Sequence, residues 1–141
     1  MNPKTPDNEV ASTTTTMNPQ EINRRIAIAC GWTTYIKGGI EWWVTPPPES
    51  YHAPVRHCMV VPNFYEDLNA VHRAEFAFAS MGCLKEWEWF GKYYGCLCDV
   101  CGIKNPMRLN GELDYKRLLH ATAAQRAEAF LRTIGQWEEG V

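Results

Sequence analysis

The sequence predicts an α+β fold, an α-β-α layered sandwich with a small antiparallel sheet and about four helices. Two observations carry this. Apolar residues recur at helical spacing in separate stretches punctuated by capping residues and glycines. Between the first two stretches, Trp32 to Thr45 changes to a period of two around Gly38-Gly39, the mark of a β-hairpin.

The elements follow in order. Residues 1–17, rich in Thr, Pro and Asn, offer almost nothing to bury and read as a disordered tail. The single domain is then residues 18–141. Met17, where the style of the sequence changes, is a candidate alternative start. Asn18 caps a first helix, with Pro19 at its first position and Glu21 where a capping-box partner belongs. Ile22, Ile26 and Ala29 form its apolar stripe, and Gly31 stops it. The hairpin turn at Gly38-Gly39 places Tyr35 opposite Trp42, and Thr34 opposite Trp43 on the other face. Pro46-Pro47-Pro48 is a stiff connection, and Val55 to Val61 reads as a third strand between prolines. Asn63-Phe64-Tyr65-Glu66 carries a capping signature and opens a second helix reaching about Phe78. Its stripe is Leu68 and Val71, extended by Phe64 and Phe78. Gly82 separates it from a third helix over about 84–101. Residues 102–115 read as a loop or short hairpin. Thr122-Ala-Ala-Gln125 is a capping box. The helix it opens buries Ala123, Ala127, Phe130, Leu131 and Ile134, with Glu128 and Arg132 paired outside.

Composition narrows the classes. The chain of 141 residues has a net charge of −2 and six cysteines. A weakly acidic balance argues against a nucleic-acid partner, which needs clustered Lys and Arg. No apolar run approaches the roughly 18 residues of a membrane span, so no membrane partner is expected. The N-terminus is polar and has no signal-peptide core, so the cysteines are expected as reduced cytoplasmic thiols.

Three clusters offer chemistry. In YYGCLCDVCGI (93–103), Cys98-x-x-Cys101 is one proper metal-ligand pair, but structural zinc wants four ligands. Cys58, Cys83, His57 and His120 are isolated contributors. On a helix, Trp87, Phe90, Tyr94, Leu97 and Cys101 share one stripe, which makes the thiols core filler and Cys101 the most buried of Cys96, Cys98 and Cys101. No cofactor is expected. The second cluster is His72 and Glu75, one helical turn apart, with Asp67 and Asn69 nearby. It is an acid/base pair in one reading and a solvated face with a local contact in the other. No Gly-rich phosphate loop, nucleophile elbow or His-Glu-x-x-His motif accompanies it, so the chain does not read as an enzyme. The third is the aromatic hairpin, with Trp32, Tyr35, Trp42 and Trp43. These rings are core in one reading; in the other they are a recognition surface, where an indole beside Arg56 or Arg24 holds a nucleotide-like ligand.

Three stretches, EINRRIAIACGW (21–32), PNFYEDLNAVHRAE (62–75) and ATAAQRAEAFLRTIGQWEE (121–139), together resemble the phage ABA-sandwich domain family. The resemblance spans roughly residues 17–139 and is loose between Ala79 and Leu119. It implies a layered α-β-α fold and a phage or prophage origin. It implies no activity and transfers no catalytic residue. The function expected is therefore that of a non-catalytic accessory protein in the host cytoplasm. Its partner is a host protein or small ligand, with antagonism of host defence as one role and a homo-oligomer left open. The alternatives are a zinc-stabilised interaction module using Cys98 and Cys101, and a minor enzyme using His72 and Glu75.

Overall fold

The computed structural model describes residues 17–46, 55–81, 85–104 and 118–139. Among them are four helices and a three-stranded antiparallel sheet, an α+β fold. Residues 1–16, Gly82, Cys83 and most of the expected 102–115 loop lie outside the described residues. Met17 does not belong with a tail: it is buried, and its sulfur accepts the Glu138 N–H at 3.4 Å.

Helix α1 (Pro19–Ala29) begins as its sequence dictates, with the Asn18 side chain accepting the Glu21 N–H at 2.8 Å and Pro19 in the first turn. The Glu21 carboxylate pairs forward with Arg25 at 2.8 Å. Gly31 ends the helix at φ +95°, where a side chain would strain the backbone. Ile22, Ile26, Ala27 and Cys30 are buried, while the expected Ala29 is only half-buried.

Strands β1 (Thr33–Lys37) and β2 (Ile40–Val44) pair in the expected register, Thr34 opposite Trp43 and Tyr35 opposite Trp42. Gly38 and Gly39 both have positive φ, as a two-residue turn between right-twisted strands requires. The third strand is much shorter than expected. β3 is only His57–Cys58, paired with Val44 and Trp43, and Met59 and Val60 bend away exposed. Pro62 lacks the N–H that would prolong a ladder.

Helix α2 (Leu68–Ala79) starts four residues later than the Asn63 signature suggested. Asn63 does bond the Glu66 N–H, at 3.3 Å, but this closes an isolated turn. The helix cap is Asp67, whose carboxylate accepts from Asn69 and Ala70 N–H groups at 2.9 and 3.3 Å. Leu68, expected on the apolar stripe, is the first residue of the helix and is exposed. Helix α3 is Glu86–Val100 and helix α4 is Ala123–Thr133. The capping box of α4 is complete, with the Thr122 hydroxyl accepting from Gln125 N–H at 3.1 Å and the Gln125 side chain accepting from Thr122 N–H at 2.9 Å.

Helix α4 packs on all three other helices. Ala123, Ala127, Phe130 and Leu131 are buried on it, and Glu128 pairs with Arg132 at 2.7 Å outside. The buried stripe of α3 is not the one expected. Trp89, Tyr93 and Leu97, spaced by four, are fully buried, whereas Phe90, Tyr94 and Cys101 are half-buried flanks. Trp89 and Tyr93 stack at 4.9 Å between ring centres, and Phe130 meets Trp89 edge-on at 5.6 Å. Among the described residues no helix is long and apolar enough to cross a membrane.

These assignments are tested by two substitutions in α4. Thr122→Ala removes one half of a cap and is expected to cost about 1 kcal/mol. Phe130→Ala empties the aromatic core and is expected to cost about 3–5 kcal/mol. Denaturant melts showing equal, small losses would contradict the packing described.

Candidate functional site

The two faces of the hairpin meet different fates. Trp43 is buried, and the Arg24 guanidinium from α1 lies over its ring at 5.2 Å. Arg24 is also held by both carboxylate oxygens of Glu41, at 2.7 and 2.8 Å. This hydrogen-bonded contact with Arg24 keeps the Glu41 carboxyl below the usual carboxylate range. Of the two readings of this face the core one holds: the Trp43 indole is buried and the Arg24 cation is already paired. Beside them an amide-lined cleft of about 660 Å3 runs from Asn18 and Asn23 to Met59 and Val61.

On the other face, Tyr35 is exposed and Trp42 half-buried. The Tyr35 hydroxyl reaches Nδ1 of His57 on β3 at 3.0 Å, and the two rings meet edge to face. With Lys37 and Ile40 these residues line a depression of about 380 Å3. The strand period places them there: Tyr35 and Lys37 alternate with Thr34 and Ile36, and Trp42 lies across from Tyr35. Arg56 is exposed at the entry to β3, where its backbone pairs with Thr45. Trp32 is half-buried and lines a separate cavity of about 190 Å3 with Cys30, Pro46, Phe64 and Arg73. The sequence candidates thus divide: Tyr35 and Trp42 share an open site, Trp43 and Asp67 are structural, and Trp32 stands apart. Lys37 and His57 join the site.

His72 and Glu75 do meet, with Nδ1 of His72 at 3.0 Å from the carboxylate. Their setting is not a solvated face. Glu75 is 3% exposed, and its second oxygen accepts from the Tyr93 hydroxyl and from Nη1 of Arg126 at 3.2 Å. Arg126 is itself buried, and its Nη2 donates to the Leu118 carbonyl at 3.3 Å. Burial and the Glu75 carboxylate both push the Tyr93 hydroxyl far above its ordinary range, so it stays a donor. Burial opposes the charge of Arg126, but Tyr93 and Glu75 outweigh it and the guanidinium holds its proton more tightly than usual. Glu75 is thus clamped by two donors inside the core, and His72 is the half-exposed member of the group.

The three thiols of residues 93–103 do not share one setting, and the buried one is not the one expected. Cys98 is the buried one at 3% exposed, while Cys96 and Cys101 are half-buried. The stripe through Trp89, Tyr93 and Leu97 is rotated from the one expected, which brings Cys98 inward. Burial raises the Cys101 thiol and lifts Cys30 from 9.0 to about 12, which disfavours the thiolate that a metal needs. Among the described residues no three His, Cys, Asp or Glu side chains gather into a ligand set.

No family model, curated protein or solved structure matches the chain. What fold and site define is a small α+β protein, with a helical cluster clamped on one carboxylate and a hairpin whose aromatic face is open.

Two substitutions test this arrangement. Glu75→Ala leaves Arg126 buried without its carboxylate and is expected to cost about 3–5 kcal/mol. A loss within experimental error of zero in denaturant melts would show that the cluster is solvated. Cys98→Ser changes a buried side chain and is expected to cost about 1–3 kcal/mol, whereas Cys96→Ser at a half-buried position should be nearly silent. A silent Cys98→Ser beside a costly Cys101→Ser would restore the stripe through Cys101.

Proposed function

We propose that the protein is a non-catalytic binding module of phage or prophage origin, working in the cytoplasm of the host cell. Its binding surface is the open hairpin face, where Tyr35 and Trp42 pair across the strands beside His57 and Lys37. The observation that carries this reading is the contrast between adjacent indoles, Trp43 sunk in the core and Trp42 left facing the depression. Two aromatic rings with an ammonium beside them suit a planar, anionic ligand of nucleotide type, stacked on the rings with its phosphate toward Lys37. A depression of about 380 Å3 is within the range of small-molecule sites. The phage origin rests on the likeness of residues 21–32, 62–75 and 121–139 to the ABA-sandwich family. Withdrawing such a ligand from the host is one route by which a small protein without catalytic groups antagonises host defence.

Calorimetric titration with mono- and dinucleotides tests the reading, together with mass spectrometry of the denatured protein for a ligand retained from cells. Binding is expected, and Trp42→Ala should weaken it about tenfold or more, the scale of one base–aromatic stack. An equal loss from Trp32→Ala, on the other side of the sheet end, would remove the site from the hairpin face. If nucleotides fail and a host protein is captured by the native chain but not by Trp42→Ala, the same face serves a protein partner.

A second reading has one observation in its favour. The bond from His72 Nδ1 to buried Glu75 leaves the other ring nitrogen free to act as a base at a half-exposed position. Turnover of a bound nucleotide that disappears in His72→Ala would favour it.

A further inference from the structure

Among the described residues strand β1 is an edge of the sheet, whose order is β1-β2-β3. All five of its residues are exposed, and Ile36 is 69% exposed. The hairpin geometry says which backbone groups face outward. In a two-residue hairpin the closing pair, Lys37 with Ile40, exchanges both backbone hydrogen bonds. Alternation then makes Tyr35–Trp42 and Thr33–Val44 bonding pairs, so Thr34 and Ile36 direct their N–H and C=O groups to the free edge.

We propose that two copies of the protein pair antiparallel through β1, joining their sheets into one across a two-fold axis at Tyr35. The strand is complementary to itself in that register. Thr34 falls opposite Ile36 of the second copy, and these are the residues whose N–H and C=O groups point outward, so each such pair exchanges two bonds. Tyr35 meets Tyr35 as a non-bonded pair, with side chains close enough to pack. Lys37 falls opposite Thr33, and the two lysines are about 13 Å apart along the strands, beyond the screening length at physiological salt. The edge carries none of the usual devices against such pairing. It has no proline, no positive-φ residue outside the glycines of the turn, and a single charge at its end. The need is physical as well. β3 supplies only two residues, so the isolated sheet is little more than a hairpin, which is marginal in water. A second copy turns it into a wide sheet and covers the exposed flank of Ile36.

Sedimentation equilibrium of the purified chain tests this without any ligand, so its outcome is separate from that of the binding reading. A reversible monomer–dimer equilibrium is expected. Ile36→Pro deletes one outward N–H per copy while leaving the bonds to β2 in place, and should weaken the dimer about tenfold or more. If that variant fails to fold, the pair Thr34→Lys and Ile36→Lys, both at exposed positions, places like charges across the axis and should give a monomer that still unfolds cooperatively. A native chain that stays monomeric up to its solubility limit overturns the proposal, whether or not the edge accepts a strand from another protein. So does a dimer that the lysine pair leaves intact.

Discussion

A carboxylate inside a protein must be given partners before the core around it can close. Glu75 is the buried acid here, and its partners come from three directions: His72 on its own helix, Tyr93 from α3 and Arg126 from α4. Removing two opposite charges from water is costly, and their attraction offsets that cost only in good geometry. The consequence is mutual dependence. Helices α2, α3 and α4 have one arrangement in which Glu75 and Arg126 are both satisfied, and the stacked Trp89 and Tyr93 sit against it. Hydrophobic contact alone would let these helices slide or rotate; the charge pair fixes their register. Satisfaction is not complete even so, since Arg126 Nε and Trp89 Nε1 are buried without a partner among the described residues.

The hairpin lives under a different constraint. It joins the helical cluster mainly through Trp43, capped by Arg24, which Glu41 holds in turn. One anchored face leaves the other free of packing duty. That division explains how neighbouring tryptophans in one strand can take opposite roles, since alternate residues of a strand belong to opposite faces.

Local signals were readable in the sequence because their physics is local. Asn18, Gly38-Gly39 and the Thr122–Gln125 box each act within a few residues, and each is found where expected. Asn63 shows the limit: its side chain bonds as the pattern says, but Asp67 four residues on supplies a second cap and the helix begins there. Faces were harder. The spacing of α3 allows two adjacent stripes, and which one is inward depends on Phe130 and Arg126 far along the chain. Cys101 was therefore favoured where Cys98 is buried. A signal for the charge cluster did exist. Glu75 lies on the stripe Val71-Glu75-Ala79, and Arg126 among Ala123, Ala127 and Phe130. One acid and one base on two otherwise apolar stripes are a pair in waiting, but periodicity cannot say that the two helices touch. The open aromatic pair follows from the hairpin register; the contribution of His57 does not, because it needs the pairing of β3.

Among the described residues helix α4 touches every other helix and is the last of them along the chain. During synthesis α1, α2 and α3 all emerge while the surface they share is still missing. Glu75 and Tyr93 are then a lone acid and phenol in an open seam, with Trp89 exposed to water. The nascent chain has no finished core to settle into until Arg126 and Phe130 have left the ribosome. Folding is thus postponed until α4 has emerged and joins segments distant in sequence. That favours slow assembly and a lengthy interval in which chaperones find apolar surface to hold.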